Sequence, residues 1–214
     1  MIIQGQIGAL ATTASLPAGQ QVITRLGNMG DLIISELHGR YYETAYRRAQ
    51  FLASTVTGQT TTAFTSGTTT AIVGLNLSNP INSPVNLVVN KIGLSFTVAF
   101  AAAASVGLAL GYNSGTNVTH TTAATVRNAY AGVGAAGYGL VDTSSTVPTA
   151  PNTTHILGSG LTGATTTVSY VGPSLVDLEG SIILPPGAYL AVVTSAASGA
   201  SGFFGSIAWE EVPL

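Results

Sequence analysis

Between residues 92 and 100, large apolar side chains fall on every second position: Ile92, Leu94, Phe96, Val98 and Phe100, with Gly93, Ser95, Thr97 and Ala99 between them. A strand puts such a set on one face of a sheet, whereas a helix, at 3.6 residues per turn, would scatter it around its axis. Val106, Leu108, Leu110 and Tyr112 repeat the alternation after a run of small residues. The uncharged stretch 92–112 is as long as a bilayer-crossing helix, for which about 20 apolar residues suffice, but its period of two argues for strands. The simplest reading is an antiparallel pair: a strand over 87–100, a turn at 101–105 and a return strand to Tyr112, closed by the loop residues Asn113, Ser114 and Gly115.

Shorter strands follow from the same signals. Ala71, Val73, Leu75 and Leu77 alternate with Ile72, Gly74, Asn76 and Ser78, and Asn79-Pro80 and Ser83-Pro84 end that strand. Residues 165–170 are rich in Thr and Val; 174–178 and 181–184 give two further alternations, the second stopped by Pro185-Pro186-Gly187. Residues 188–194 are apolar on both phases and read as a central strand, and 198–202 is a flexible connection into a last strand over 203–212. Residues 138–163 carry Ser, Thr, Pro and Gly with few large apolar side chains, which predicts a long loop or wandering edge. Thr, Val, Ser and Gly are weak helix formers, so many short strands between Gly and Pro turns predict an all-β sandwich or barrel. No internal repeat stands out from the trivial self-similarity of the Thr-rich tracts.

Charge is distributed very unevenly. Seven of the fourteen charged side chains lie between residues 25 and 48, while residues 49–208 carry only Lys91, Arg127, Asp142, Asp177 and Glu179. Charged residues make up 7% of the chain, against about 25% in an ordinary soluble domain, so most of its surface is Thr, Ser, Asn, Gly and Ala. Free proteins keep apart from their neighbours by mixed surface charge, and this composition suits a subunit fixed in an assembly. A net charge of −2 gives no electrostatic footprint for nucleic acid. The absence of cysteine removes disulfides, zinc–thiolate sites and thiol nucleophiles, and leaves the redox compartment open. No positive residues precede the first apolar ones, so a Sec signal peptide is not expected.

The residues able to carry chemistry have bland readings beside them. Gly132, Gly134 and Gly137 satisfy GxGxxG, but a dinucleotide site needs that turn between a strand and a helix with an acid about 20 residues on; Gly139 and a Thr/Ser run follow, and Asp142 comes too early. No serine sits in GxSxG, and Lys91, the single lysine, lies in neither a P-loop nor an SxxK arrangement. His38 falls in the charged N-terminal segment, and His120 and His155 in Thr-rich loops, where a solvated surface histidine is the plain expectation. His120, His155 and Asp142 would form a metal or catalytic cluster only if the fold brought them together. Asp177 and Glu179 share a strand phase, which fits a calcium or paired-carboxylate device but fits an exposed strand face better. The acceptor triplets at Asn76, Asn117 and Asn152 arise by chance in a chain this rich in Thr and Asn. We therefore expect no catalytic residue, no metal ligand and no cofactor.

The first fifty residues are of another kind. Gly5, Gly8, Pro17, Gly19, Gly27 and Gly30 break the start into pieces too small for a core, predicting an extended N-terminal arm over 1–52 and a sandwich body over 53–214. Residues 35–52 permit two readings: Leu37, Tyr41, Ala45, Ala49 and Leu52 fit one helical face, while Tyr42, Thr44 and Tyr46 alternate as a strand, with Gly39 allowing a hairpin turn. Tyr and Arg are over-used at protein interfaces because each joins contact area to a polar handle. Leu37, Arg40, Tyr41, Tyr42, Tyr46, Arg47 and Arg48 are accordingly the candidate partner-interface residues. The competing reading is that the tyrosines pack under the body and the charges are solvated.

The stretch GDLIISELHGRYYETAYRRAQF and the terminal IAWEEVPL resemble sequences of small structural proteins of tailed-bacteriophage heads, and the Thr-, Ala- and Gly-rich middle is similar in style. The resemblance covers mainly residues 30–52 and the last ten. It implies a capsid decoration or cement protein: a jelly-roll-like β-sandwich, made in the host cytoplasm, that clusters as a homotrimer on the capsid exterior and clamps subunits of the major capsid protein. It implies no nucleic-acid or membrane partner. Two rivals remain: a tail-fibre or receptor-binding part touching host glycans through 138–163, and a carbohydrate-active or metal-dependent enzyme on a jelly roll, which requires His120, His155 and Asp142 to converge.

Overall fold

The structure, a computed structural model, describes residues 4–6, 21–23, 39–131, 136–161 and 170–214. It divides into two units, Met1–Arg40 and Tyr41–Leu214. In the first, β1 (Gln4–Gln6) pairs antiparallel with β2 (Gln21–Ile23). The rest of the expected arm, Leu37 included, lies outside the described residues.

The second unit opens with one helix, α1 (Tyr42–Tyr46), and continues as strands: β3 (Gln50–Ser54), β4 (Ala71–Ser78), β5 (Val85–Phe96), β6 (Ala104–Tyr112), β7 (Thr119–Ala123), β8 (Val126–Asn128), β9 (Leu140–Thr146), β10 (Asn152–Gly160), β11 (Tyr170–Val171), β12 (Leu175–Leu184), β13 (Ala188–Thr194) and β14 (Phe203–Pro213). They form two antiparallel sheets, one of seven strands in the order β11-β10-β6-β13-β4-β9-β7 and one of five in the order β12-β5-β14-β3-β8. This is the all-β sandwich expected of the composition. Its main core takes Leu75 and Leu77 from β4, Val106 and Leu108 from β6, and Leu190 and Val192 from β13 on one side. Leu87, Val89, Ile92 and Leu94 of β5 face them with Ile207 and Trp209 of β14. Trp209 is fully buried, stacks on Phe51 with centroids 6.0 Å apart, and donates its indole N–H to Glu211 Oε1 at 3.3 Å.

Strand β5 keeps its apolar side inward over twelve residues by slipping phase once. Ala208 pairs with Lys91 but the next residue, Trp209, pairs with Val89, so Asn90 is the extra residue of a β-bulge. Ile92 and Leu94 therefore face the core on one side of the bulge, and Leu87 and Val89 on the other.

The expected pairing of β5 with β6 is corrected. Both strands exist, but β5 bonds to β12 and β14 in one sheet while β6 bonds to β10 and β13 in the other. Residues 97–103 cross from sheet to sheet, and the corner is filled by Phe100 packed near Phe96, which in turn packs on Phe203, at 4.9 and 5.1 Å. Alternation tells which side chains face the core; it does not tell which strand lies alongside.

Segment 138–163 is corrected as well: it supplies β9 and β10 rather than a long loop. Its Thr and Ser are β-compatible, and β9 buries polar side chains, Asp142, Thr143 and Ser145, which gives it the composition of a loop. The two alternations at 174–178 and 181–184 are one strand, β12, whose register breaks between Asp177 and Ile182 where Glu179 and Gly180 take φ of 52° and 78°. The Thr- and Val-rich tract at 165–170 lies outside the described residues except for Tyr170. Residues 35–52, open between helix and strand, supply α1 followed by β3, and the division between the units falls after Arg40 rather than after Leu52.

Strand β13 is central, as read, and all seven of its residues are buried. Leu190 and Val192 enter the main core, while Tyr189, Ala191 and Val193 enter a second cluster with Ile72, Ala109, Val118 and Val147 on the opposite face. Phe64 packs against that cluster from a segment that runs over the sheet. Phe64 N–H bonds to Thr194 O at 2.9 Å, and Thr61 meets the Thr194 hydroxyl at 2.6 Å and exchanges two bonds with Ser198. Tyr189 lies across β6, where Gly111 leaves room for its ring, and its hydroxyl donates to Thr149 O.

Candidate partner-binding surface

Helix α1 is too short to persist on its own, because nucleation of a single turn is unfavourable. Its N-cap residue, Tyr41, makes no side-chain capping bond, and Arg48, just past its end, takes φ of 61°. The left-handed turn is braced by Asn128 Nδ2 donating to Arg48 O at 2.7 Å. Glu43 and Arg47, one turn apart, meet at 2.6 Å. What holds the helix is contact with strands. The Tyr41 hydroxyl donates to Asp177 Oδ1 at 3.1 Å, and Lys91 Nζ sits 5.1 Å from the Tyr41 ring centroid and 3.5 Å from Asp177 Oδ2. On the other side Tyr42 stacks on Tyr46 at 5.8 Å, Tyr46 meets Tyr130 edge-on at 6.3 Å, and the Arg48 guanidinium lies 5.4 Å from the Tyr130 centroid.

Asp177 is the electrostatic pivot of this arrangement. Desolvation alone would raise its pKa, but the Glu179 amide N–H, the Tyr41 hydroxyl and Lys91 outweigh that and hold it below the usual carboxylate range. The contact is thus present above that range and is lost as pH falls through the lowered value.

Beside α1, on the outward face of the five-stranded sheet, runs a groove of about 1040 Å³. Its floor is low because Gly93, Ser206 and Ala208 are small, and its walls carry Leu52, Leu175 and Tyr130. Leu52 is 43% exposed, Leu175 58% and Val56 82%, and together they form an open apolar rim around the groove.

Of the expected interface residues, the structure brings Tyr41, Tyr42, Tyr46, Arg47 and Arg48 together at this edge, and Arg40 is exposed at the end of the first unit. Leu37 lies outside the described residues. Sequence reasoning missed Tyr130, Arg127, Leu52 and Leu175. The available signal was Arg127, the one arginine after residue 48, three residues before a tyrosine.

The rival trio does not converge. His120 and Asp142 do meet, on neighbouring strands β7 and β9, with His120 Nδ1 at 2.6 Å from Asp142 Oδ2. Burial raises the Asp142 pKa, opposed by the hydrogen bond and charge of His120. His120 also lines a small cavity of about 250 Å³ with Asn79, Asn117 and Leu140. His155, however, sits on β10, four strand spacings or ~19 Å across the sheet from β9, exposed and bonded to Thr154 Oγ1. Among the described residues no three His, Cys, Asp or Glu side chains are placed to hold a metal ion. Asp177 and Glu179 lie on the exposed β12 edge. Gly132 and Gly134 are outside the described residues, and Gly137 backs onto Phe51 and Glu211 before strand β9, with no helix between Gly137 and that strand.

Comparison with protein-family models, with curated proteins and with solved structures finds no match to this chain.

Proposed function

We propose that this chain is a structural virion protein that decorates and cements a bacteriophage capsid. In this reading the body is a jelly-roll-like sandwich, self-associated as a homotrimer on the shell exterior. The N-terminal arm and the sandwich base bind neighbouring subunits of the major capsid protein. The observation that carries it is the Tyr41–Arg48 edge, where aromatic and arginine side chains stand part-exposed beside an open apolar groove. That is the equipment of adhesion: aromatic and arginine anchors around a desolvated patch dominate protein interfaces, and apolar burial contributes roughly 25 cal/mol per Å². Repetition over many symmetric copies turns modest single contacts into strong attachment. The charge-poor surface fits a protein kept apart by its place in a lattice rather than by repulsion.

Removing residues 1–40 tests the arm. Because β3 begins at Gln50, a cut at 40 spares the sheet, whereas a cut at 52 would remove part of a strand. The truncated chain should keep a β-type circular dichroism spectrum and co-sediment less with capsids stripped of this protein, the remainder being held by the Tyr41–Arg48 edge that the cut leaves in place. Undiminished co-sedimentation would refute the arm's role.

A further inference from the structure

The groove beside α1 has a charge pattern as well as a shape. Lys91 and Arg127 line it, and among the described residues no Asp or Glu does, although Asp177 stands at its β12 border beside Lys91. Lys91 is partly offset by Asp177 at 3.5 Å, but Arg127 is exposed and has no ion pair among the described residues. We propose that this groove binds a single extended acidic segment of the partner protein, in which apolar residues alternate with Asp or Glu. The inference rests on the partner-binding reading above and adds the chemistry of the partner.

Register fixes the spacing. Leu175, Gly93, Ser206 and Ser54 are cross-strand neighbours in one row. Asp177, Lys91, Ala208, Leu52 and Arg127 form the next row, two residues along, with the acid at its β12 end and the unpaired arginine at its β8 end. The rows are ~6.7 Å apart, and the walls on β12 and β3 are three strand spacings or ~14 Å apart. That width admits one extended chain lying along β5 and β14, over the low floor of Gly93, Ser206 and Ala208. An extended chain presents a side chain to the groove every two residues, matching the row spacing. An apolar residue against Leu175 then places the next groove-facing residue on the row of Lys91 and Arg127, where a carboxylate completes Arg127, Lys91 being already paired with Asp177. Arg127 offers the planar fork that takes a carboxylate with two bonds, and Leu52 beside it keeps water from the pair. A basic segment would set like charges together on the same row.

The test uses the full chain, isotope-labelled, titrated with a capped hexapeptide of alternating Leu and Glu and with its Leu–Lys counterpart. The Leu–Glu peptide should shift the amide resonances of Gly93, Ser206, Leu52 and Arg127, bind about 10-fold or more tightly than the Leu–Lys peptide, and weaken with added salt. Arg127→Glu, on an exposed side chain, should reverse the preference, and Leu52→Asn, which removes the apolar wall without adding charge, should weaken both peptides. Equal response to the two peptides, response elsewhere only, or an unchanged preference in Arg127→Glu overturns the proposal. Co-sedimentation with stripped capsids separates the two levels of inference. An Arg127→Glu chain that sediments like wild type overturns the groove's role while decoration stands; a wild-type chain that does not sediment overturns decoration itself.

Discussion

The two outward faces of the sandwich end in opposite states. The seven-stranded sheet carries a second apolar cluster on its outer side, with Tyr189, Ala191 and Val193 covered by Phe64, Val118 and Val147. The five-stranded sheet leaves its outer side open, with Leu52 and Leu175 about half exposed around a groove floored by small residues. Over its central strands the seven-stranded face is covered by its own chain and has no apolar surface to offer there, while Ile156 on β10 stands exposed to one side. A face with an apolar rim and, in Arg127, a cation with no ion pair among the described residues is free to take a partner, and the helix with the tyrosines and arginines sits at that face. The same strand chemistry therefore serves stability on one side and recognition on the other.

The sharpest way to break this contrast is to place the same charge on both faces. Ala191→Asp buries a carboxylate at a position with no exposure, and should cost about 4 kcal/mol or more, enough to unfold the unit in a urea titration. Leu52→Asp should move stability by no more than about 0.5 kcal/mol, as solvent-facing substitutions do. Equal losses would mean that the open face is also covered in the native protein.

Gly111→Val probes how the covered face is closed. A Cβ at Gly111 would run into the Tyr189 ring, so the ring must leave its seat or the strand must shift. A loss of about 1–3 kcal/mol is expected, the usual penalty for overpacking. Tyrosine fluorescence should report the displaced ring.

Asp142 sharpens the comparison through pH. Its folded pKa is raised, first by burial, so its contribution to stability is fully present below the unfolded value and is lost as pH rises through the folded one. Asp142→Asn keeps an oxygen to accept from His120. Its stability relative to wild type should improve as pH rises above the ordinary carboxylate range and through the raised folded pKa in paired urea titrations; a difference independent of pH would contradict the buried, acid-weakened carboxylate. The smallest effect belongs to the open edge: Glu43→Ala removes an exposed helix pair to Arg47 and should cost at most about 0.5 kcal/mol of thermal stability.

Strand content and several strands were legible in the sequence because they depend on local alternation and on turn residues. Residues 71–78, closed by Asn79-Pro80, and the doubly apolar 188–194 came through to the residue. Strands β9 and β10 were not legible, since Asp142, Thr143 and Ser145 are buried through pairing with neighbours such as His120 and Asn76 rather than through apolar character. The candidate site was half legible. Tyr41, Tyr42, Tyr46, Arg47 and Arg48 announced themselves by composition, whereas Leu52, Arg127 with Tyr130, and Leu175 come from three separate places in the chain, and only the Arg127–Tyr130 spacing carried a signal.

What the amino-acid order determined alone is that this chain forms strands, where many of them stop, and that its charge and aromatic contact residues gather before residue 50. Only the tertiary structure decided that β5 and β6 part into opposite sheets, that one outer face is covered over its central strands and the other open, and that Lys91 and Arg127 come to line one groove. The physical reason is that periodicity and turn chemistry act between residues a few positions apart. Strand neighbours, and the surfaces they compose, are set by which distant segments exclude water from one another.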